Sequence, residues 1–150
     1  MISSEIKESI SASVLCWLAT ASENGIPNVS PKEIFTAYGE EYFLIANIMS
    51  PGSIKNIKAN AQVAVSFVDI LKQKGFQLKG SAQIISKRDE SFEEFLRPLF
   101  ELAGPKYPIQ SVIKIKVENT KPIIAPNYIL FPETTEEEQI QSAIQTYRLK

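Results

Sequence analysis

The segment Ser50-Pro51-Gly52-Ser53-Ile54-Lys55-Asn56 gathers small residues, two hydroxyls and a lysine where a loop turns into a helix. The first N–H groups of a helix have no partner within it, and the helix dipole adds partial positive charge, so such a start attracts an anion. Lys55 adds a formal charge, and a phosphate monoester suits the set. The same residues also make a solvated cap with a surface lysine, and both readings stand on these residues alone. A second polar row lies in Asn28-Val29-Ser30-Pro31-Lys32-Glu33-Ile34. The strand period of two puts Asn28, Ser30 and Lys32 on one face, while Pro31 denies a neighbouring strand one N–H. Facing a crevice, that row needs a polar partner; on an exposed edge it needs none.

What the chain lacks narrows the chemistry. It has no histidine and one cysteine, which excludes Ser-His and Cys-His nucleophiles, imidazole or thiolate zinc sites and internal disulfides. Cys16 lies in the apolar run Val14-Leu15-Cys16-Trp17-Leu18-Ala19 and reads as a core residue, because a reactive thiol needs a cationic, partly exposed setting. Sixteen basic against seventeen acidic residues leave a net charge of −1. With a pI near 5.6 this disfavours nucleic-acid binding, and no basic, aromatic groove of an oligonucleotide-binding barrel is visible. No apolar run is long enough for a membrane helix, and Met1 to Glu8 does not read as a signal peptide, so a cytoplasmic protein is expected. At 150 residues the chain fits one domain, residues 1–150.

The elements that must position these residues follow from periodicity. Ile6, Ile10 and Val14 behind Ser3 and Ser4 predict a helix over 4–12. Residues 14–21 predict a strand, and Asn24-Gly25 should supply the positive φ angles of a tight hairpin to a returning strand over 26–35. Tyr42 to Ala46 forms a third strand. Ser53 should then cap two helical turns over 54–60. Strands follow over 62–70 and 76–85, with Gly80 marking a bulge or bend. Phe92, Phe95, Leu96, Leu99 and Phe100 have helical spacing, with Pro98 expected to kink or restart that helix. A half-buried strand over 111–117, an irregular edge strand somewhere in 121–131, and a last helix behind a capping box at Thr134 or Thr135 complete the chain. Tyr107 and Tyr128, in irregular loops, read as packing residues. Hairpin-linked strands with helices set aside imply a mainly β (α+β) fold, a six-stranded antiparallel barrel with short flanking helices.

One succession of segments carries more. Leu18-Ala19-Thr20-Ala21, Asn24 to Lys32, Ser50 to Asn60, Val63-Ala64-Val65-Ser66-Phe67 and Lys79-Gly80-Ser81-Ala82 together resemble the pyridoxamine 5′-phosphate oxidase-like family of FMN-binding split barrels. The resemblance implies an FMN phosphate held by Ser50, Ser53, Lys55 and Asn56. It implies a flavin ring along Ser30, Pro31, Lys32 and Glu33, with Asn47 and Ile48. It also implies a homodimer with FMN at the subunit interface. The activity implied is an FMN-dependent oxidoreductase, flavin reductase-like or of general redox type, using an NAD(P)H or protein electron donor. The alternative is a noncatalytic FMN carrier or electron-transfer protein, which rapid NAD(P)H oxidation by the holoprotein would rule out. Ser30 stands near where true pyridoxamine phosphate oxidases usually carry an arginine. The chain ends Tyr147-Arg148-Leu149-Lys150 without their tryptophan-bearing, Arg-Leu-x-Pro segment, so the resemblance does not extend to the vitamin substrate.

Overall fold

The computed structural model describes residues 1–150 as α1 (Ser4–Ala12), β1 (Cys16–Ala21), β2 (Pro27–Lys32), β3 (Phe35–Tyr38), β4 (Tyr42–Asn47), α2 (Pro51–Ala59), β5 (Gln62–Asp69), β6 (Lys74–Ser86), α3 (Phe92–Ala103), β7 (Ser111–Ile124), α4 (Pro126–Leu130) and α5 (Glu136–Thr146). The seven strands form one sheet in the order β2-β1-β5-β6-β7-β4-β3, antiparallel throughout. β2 and β3 are its two edges, yet only Glu33 and Ile34 separate them in the chain. Three residue steps span at most about 11 Å, so the sheet must curl until its edges nearly meet. The architecture is a split barrel, and its split lies at Glu33-Ile34.

The barrel has seven strands where six were expected, because the strand expected over 26–35 changes partners. Residues 27–32 of it pair with β1, and past Glu33 and Ile34 the chain continues beyond the expected end as β3, Phe35–Tyr38, which pairs with β4. No single straight strand can serve both edges. The irregular edge strand expected within 121–131 is instead a continuation of β7, paired with β6 as far as Lys74↔Ile124, followed by α4. α3 is one helix that continues through Pro98.

The hairpin between β1 and β2 forms where expected, with a different turn. Only Gly25 has positive φ; its N–H donates to Ser22 O at 2.9 Å, and Ser22 N–H donates to Ile26 O at 2.9 Å. Gly25 alone therefore supplies the left-handed residue the reversal needs. Of the alternative caps for α1 and α5, Ser3 accepts from Ile6 N–H at 3.2 Å and Thr135 from Glu138 N–H at 3.1 Å.

The barrel interior holds Leu18, Phe35, Phe43, Ile45, Val65, Phe67, Leu78, Ile113 and Ile115, with Ile6 and Ile10 of α1 and Ile57 of α2 packed onto them. Cys16 is fully buried there, as expected of a core residue. A second cluster lies outside the sheet, where Phe92, Phe95 and Leu99 of α3 cover Leu44, Ala46 and Val112. β4 is thus covered on both faces, which explains its uninterrupted apolar run. No helix is long and apolar enough to cross a membrane.

The irregularity expected at Gly80 is present as a register shift between Lys79 and Gly80 in the β6–β7 ladder. The strands approach so closely that a Cβ on Gly80 would collide with the backbone carbonyl of Lys116. Gly80→Ala is therefore expected to lower the unfolding free energy by about 1–3 kcal/mol, the usual cost of overpacking. A reduced urea midpoint at unchanged slope is the readout.

Candidate functional site

α2 begins at Pro51, whose missing N–H costs nothing at a first helical position. Its N-cap is Ser50, not Ser53; the proline starts the helix one turn earlier than the Ser53 cap anticipated. The Ser50 side chain makes no capping bond to the helix, and the first turn holds no acidic residue. The positive end of α2 is therefore neither capped by its own hydroxyl nor neutralised.

Ser50, Ser53 and Asn56 recur every three residues and share one helix face, which lies against the inward face of β1 and β2. Lys32 Nζ donates to Ser50 Oγ, Ser30 and Ser53 share a hydrogen bond at 3.3 Å, and Asn56 Nδ2 donates to Thr20 Oγ1 at 3.0 Å. The predicted row Asn28, Ser30, Lys32 does share a face, opposite inward-facing Thr20, Leu18 and Cys16. Asn28, at its outer end, is exposed. Five sequence-selected residues thus meet here: Ser30, Lys32, Ser50, Ser53 and Asn56. Ser53 is buried in this seam and Asn56 is committed to Thr20, so both position α2 against the barrel.

Lys55 projects elsewhere. It is exposed and lines a shallow depression of about 540 Å³ with Ile48, Met49, Ser50, Ile54 and Lys58. Asn47 borders the same depression; its Nδ2 donates to Ser111 Oγ at 2.9 Å and its backbone carbonyl accepts from Gln110 N–H at 2.8 Å. Asn47 Oδ1 is the only buried side-chain oxygen or nitrogen left without a partner.

Pro31, Lys32, Glu33 and Ile48 line a larger cleft of about 640 Å³ at the split, which adjoins the first depression along Ile48, Met49 and Ser50. Its other walls include Leu15 and Trp17 at β1 and Leu102 and Ala103 at the end of α3, with Tyr107, expected only to pack, beyond it. Tyr107 therefore lines the cleft, whereas Tyr128 lies outside it and donates to Lys72 O at 2.6 Å. Alternation along β1, with Cys16 and Leu18 inside, marks Trp17 as outward-facing. Nothing local in the sequence marks Leu102, and Tyr107 reads there as packing, because only the folded chain brings α3 to the split.

Lys32 dominates the electrostatics. It is 9% exposed, and no carboxylate pairs with it; the ion pairs of the chain join Lys72 and Lys74 to Glu136 at 3.5 and 3.3 Å. Burial pulls its ammonium below the ordinary lysine value. The opposed Cys16 thiol is pushed up to about 12, chiefly by burial and against the pull of the Lys32 charge, so it is protonated and inert near neutral pH. No group of acidic, cysteine or histidine side chains is arranged to hold a metal. A buried cation without a counter-ion, an open helix N-terminus and an adjoining apolar cleft together suit an elongated ligand with an anion at one end and a flat apolar body at the other.

No curated protein matches the sequence. Among solved structures, HupZ from Group A Streptococcus superposes with a TM-score of 0.68 at 24% identity, covering 80% of this chain and 92% of that one. An FMN-binding protein from Syntrophomonas wolfei gives 0.66 at 15% identity, covering 80% and 84%. A protein related to general stress protein 26, of the pyridoxinephosphate oxidase family, from Clostridium acetobutylicum gives 0.61 at 23% identity, covering 80% and 86%. These likenesses establish the split-barrel fold. The sequence profile of the family described as pyridoxamine 5′-phosphate oxidase matches residues 2–124, from just before α1 to the last residue of β7, and the chain belongs to that family.

Proposed function

We propose that residues 1–150 form one FMN-binding domain and that the protein is a cytoplasmic FMN-dependent oxidoreductase. The observation that carries this is Lys32: a buried ammonium with no carboxylate, directed at the hydroxyl that opens α2, on the wall of the apolar cleft. In this reading Ser50 and Lys55 hold the phosphate at the start of α2, with the buried Ser53 and its partner Ser30 behind them. The ring lies in the cleft along Pro31, Lys32, Glu33 and Ile48. Asn47, whose Oδ1 is buried without a partner, borders the depression beside Lys55. Asn56 fixes the helix through Thr20.

Bound FMN supplies the redox chemistry, so the chain itself has to bind, orient and screen the ring from water. Lys32 is placed to stabilise negative charge on the ring edge. The absence of histidine is no obstacle to such a role. A homodimer completes the proposal: β1 and β2 present Trp17 and Val29 outward, an apolar strip beside the cleft that a second copy would cover.

The test is the visible absorption spectrum of the purified protein, with mass analysis of what denaturation releases. A flavin spectrum and the mass of FMN support the reading; protein that stays colourless after incubation with excess FMN removes it. Lys55→Ala should weaken FMN binding about tenfold, as expected for one exposed charge-assisted contact at a helix start. Equal affinity by flavin fluorescence titration would take Lys55 out of the phosphate site.

A further inference from the structure

Lys32 is the one charged side chain of the chain that is buried, and it lies on the wall of the cleft with no carboxylate to hold its charge. Burial lowers its ammonium from the ordinary 10.5, which enlarges the share present as free amine. A free amine is a nucleophile, and desolvation beside apolar surface is one way a lysine becomes reactive. The neighbouring Cys16 thiol does not compete, because it is fully buried and protonated. Lys32 Nζ donates to Ser50 Oγ, the hydroxyl that opens α2. A hydroxyl both donates and accepts, so Ser50 can pass a proton between that nitrogen and an oxygen beside it. The uncapped start of α2 favours an anion next to the amine, since Ser50 belongs to both, while Pro31, Ile34 and Ile48 supply apolar wall.

We propose that Lys32 is a covalent binding site whose amine condenses with an aldehyde that has an apolar body and an anionic group. Nζ attacks the carbonyl carbon, and a C–N bond forms as the carbonyl electron pair moves to oxygen. The two amine protons then leave with that oxygen as water, giving a C=N bond; nothing is oxidised or reduced. The neutral imine removes the charge that burial disfavours, and Ser50 Oγ can turn to donate to its nitrogen. The condensation stands apart from the FMN reading. The two meet only in occupancy, because an adduct on Lys32 and a flavin ring along Pro31 and Lys32 exclude each other.

The experiment incubates full-length protein, stripped of any bound flavin, with a small excess of 4-formylbenzoate and sodium cyanoborohydride, which reduces an imine to a stable secondary amine. Intact mass and peptide mapping then count and locate the adducts. One adduct per chain, on Lys32, with Lys55 and Lys58 unmodified, is the expected result. Benzaldehyde, which lacks the anion, should label Lys32 about tenfold more slowly, the worth of one charge-assisted contact at a helix start. Lys32→Arg, which keeps the cation but forms no imine, and Lys32→Met should both lose the single adduct. The proposal is overturned if mapping of the parent finds the label on surface lysines and none on Lys32, or if benzaldehyde labels Lys32 as fast as 4-formylbenzoate. Failure of the cofactor reading looks different: saturating FMN then leaves the labelling of Lys32 unchanged, whereas a flavin bound along Lys32 suppresses it.

Discussion

Lys32→Met is expected to raise the stability of the protein and lower its affinity for FMN. Methionine keeps the length and apolar stem of the side chain and removes a charge that sits 9% exposed without a carboxylate partner. Replacing buried ionic groups by apolar ones of similar volume is commonly neutral or stabilising, and here a gain of about 1–2 kcal/mol is expected because no ion pair is lost. The Ser50 hydroxyl that loses its donor lies at the cleft, where water replaces the contact.

The gain has a defined pH dependence. Burial lowers the Lys32 value in the folded protein below its ordinary 10.5, so the unfolded chain holds this proton more tightly than the folded one. The parent therefore bears the full penalty at neutral pH and recovers stability as pH rises through the lowered value toward the unfolded one. The advantage of Lys32→Met should be largest near neutrality and shrink in that alkaline window. FMN affinity should fall by about 1.5–3 kcal/mol, the worth of a hydrogen bond to a charged group. Urea melts at two pH values and a flavin titration test both halves; a variant less stable than the parent at neutral pH, or one that binds FMN equally well, contradicts the role assigned to Lys32.

The residues of this site were legible in the sequence to the extent that local spacing governs them. Strand period two placed Ser30 and Lys32 on one face, and the Pro-Gly loop located the start of a helix near Ser50. The starting residue of α2 was misplaced because Ser53 has the composition of a cap, whereas Pro51 decides where the helix begins. The break between β2 and β3 was hidden for a different reason. Residues 26–35 have the composition of one strand, and only closure of the sheet makes the chain pair with β1 before Glu33 and with β4 after Ile34, at opposite edges. The same closure delivers Trp17, Leu102 and Tyr107 to one cleft from segments far apart in the chain. Such encounters are set by topology, which periodicity does not encode.

Phe43→Ala tests how far the site depends on that closure. Phe43 is fully buried and stacks between Phe35 and Phe67, with ring centroids 5.8 and 6.0 Å away. It ties β3, an edge strand of four residues, through β4 to the opposite wall at β5. Truncating such a side chain costs about 3–5 kcal/mol, a large share of the roughly 5–15 kcal/mol that holds a domain folded. Leu99→Ala, in the separate cluster beneath α3, should cost about 2–5 kcal/mol by the same physics. The two should differ at the cleft. β3 is joined to β2 only through Glu33 and Ile34, so loosening β3 lets the edges that carry Pro31, Lys32 and Ile34 move apart. FMN affinity should therefore fall more in Phe43→Ala than in a Leu99 variant of matched stability, measured well below both unfolding midpoints. Equal affinities in the two would mean that the α2 seam, through Ser50, Ser53 and Asn56, holds β2 in place without help from the opposite edge.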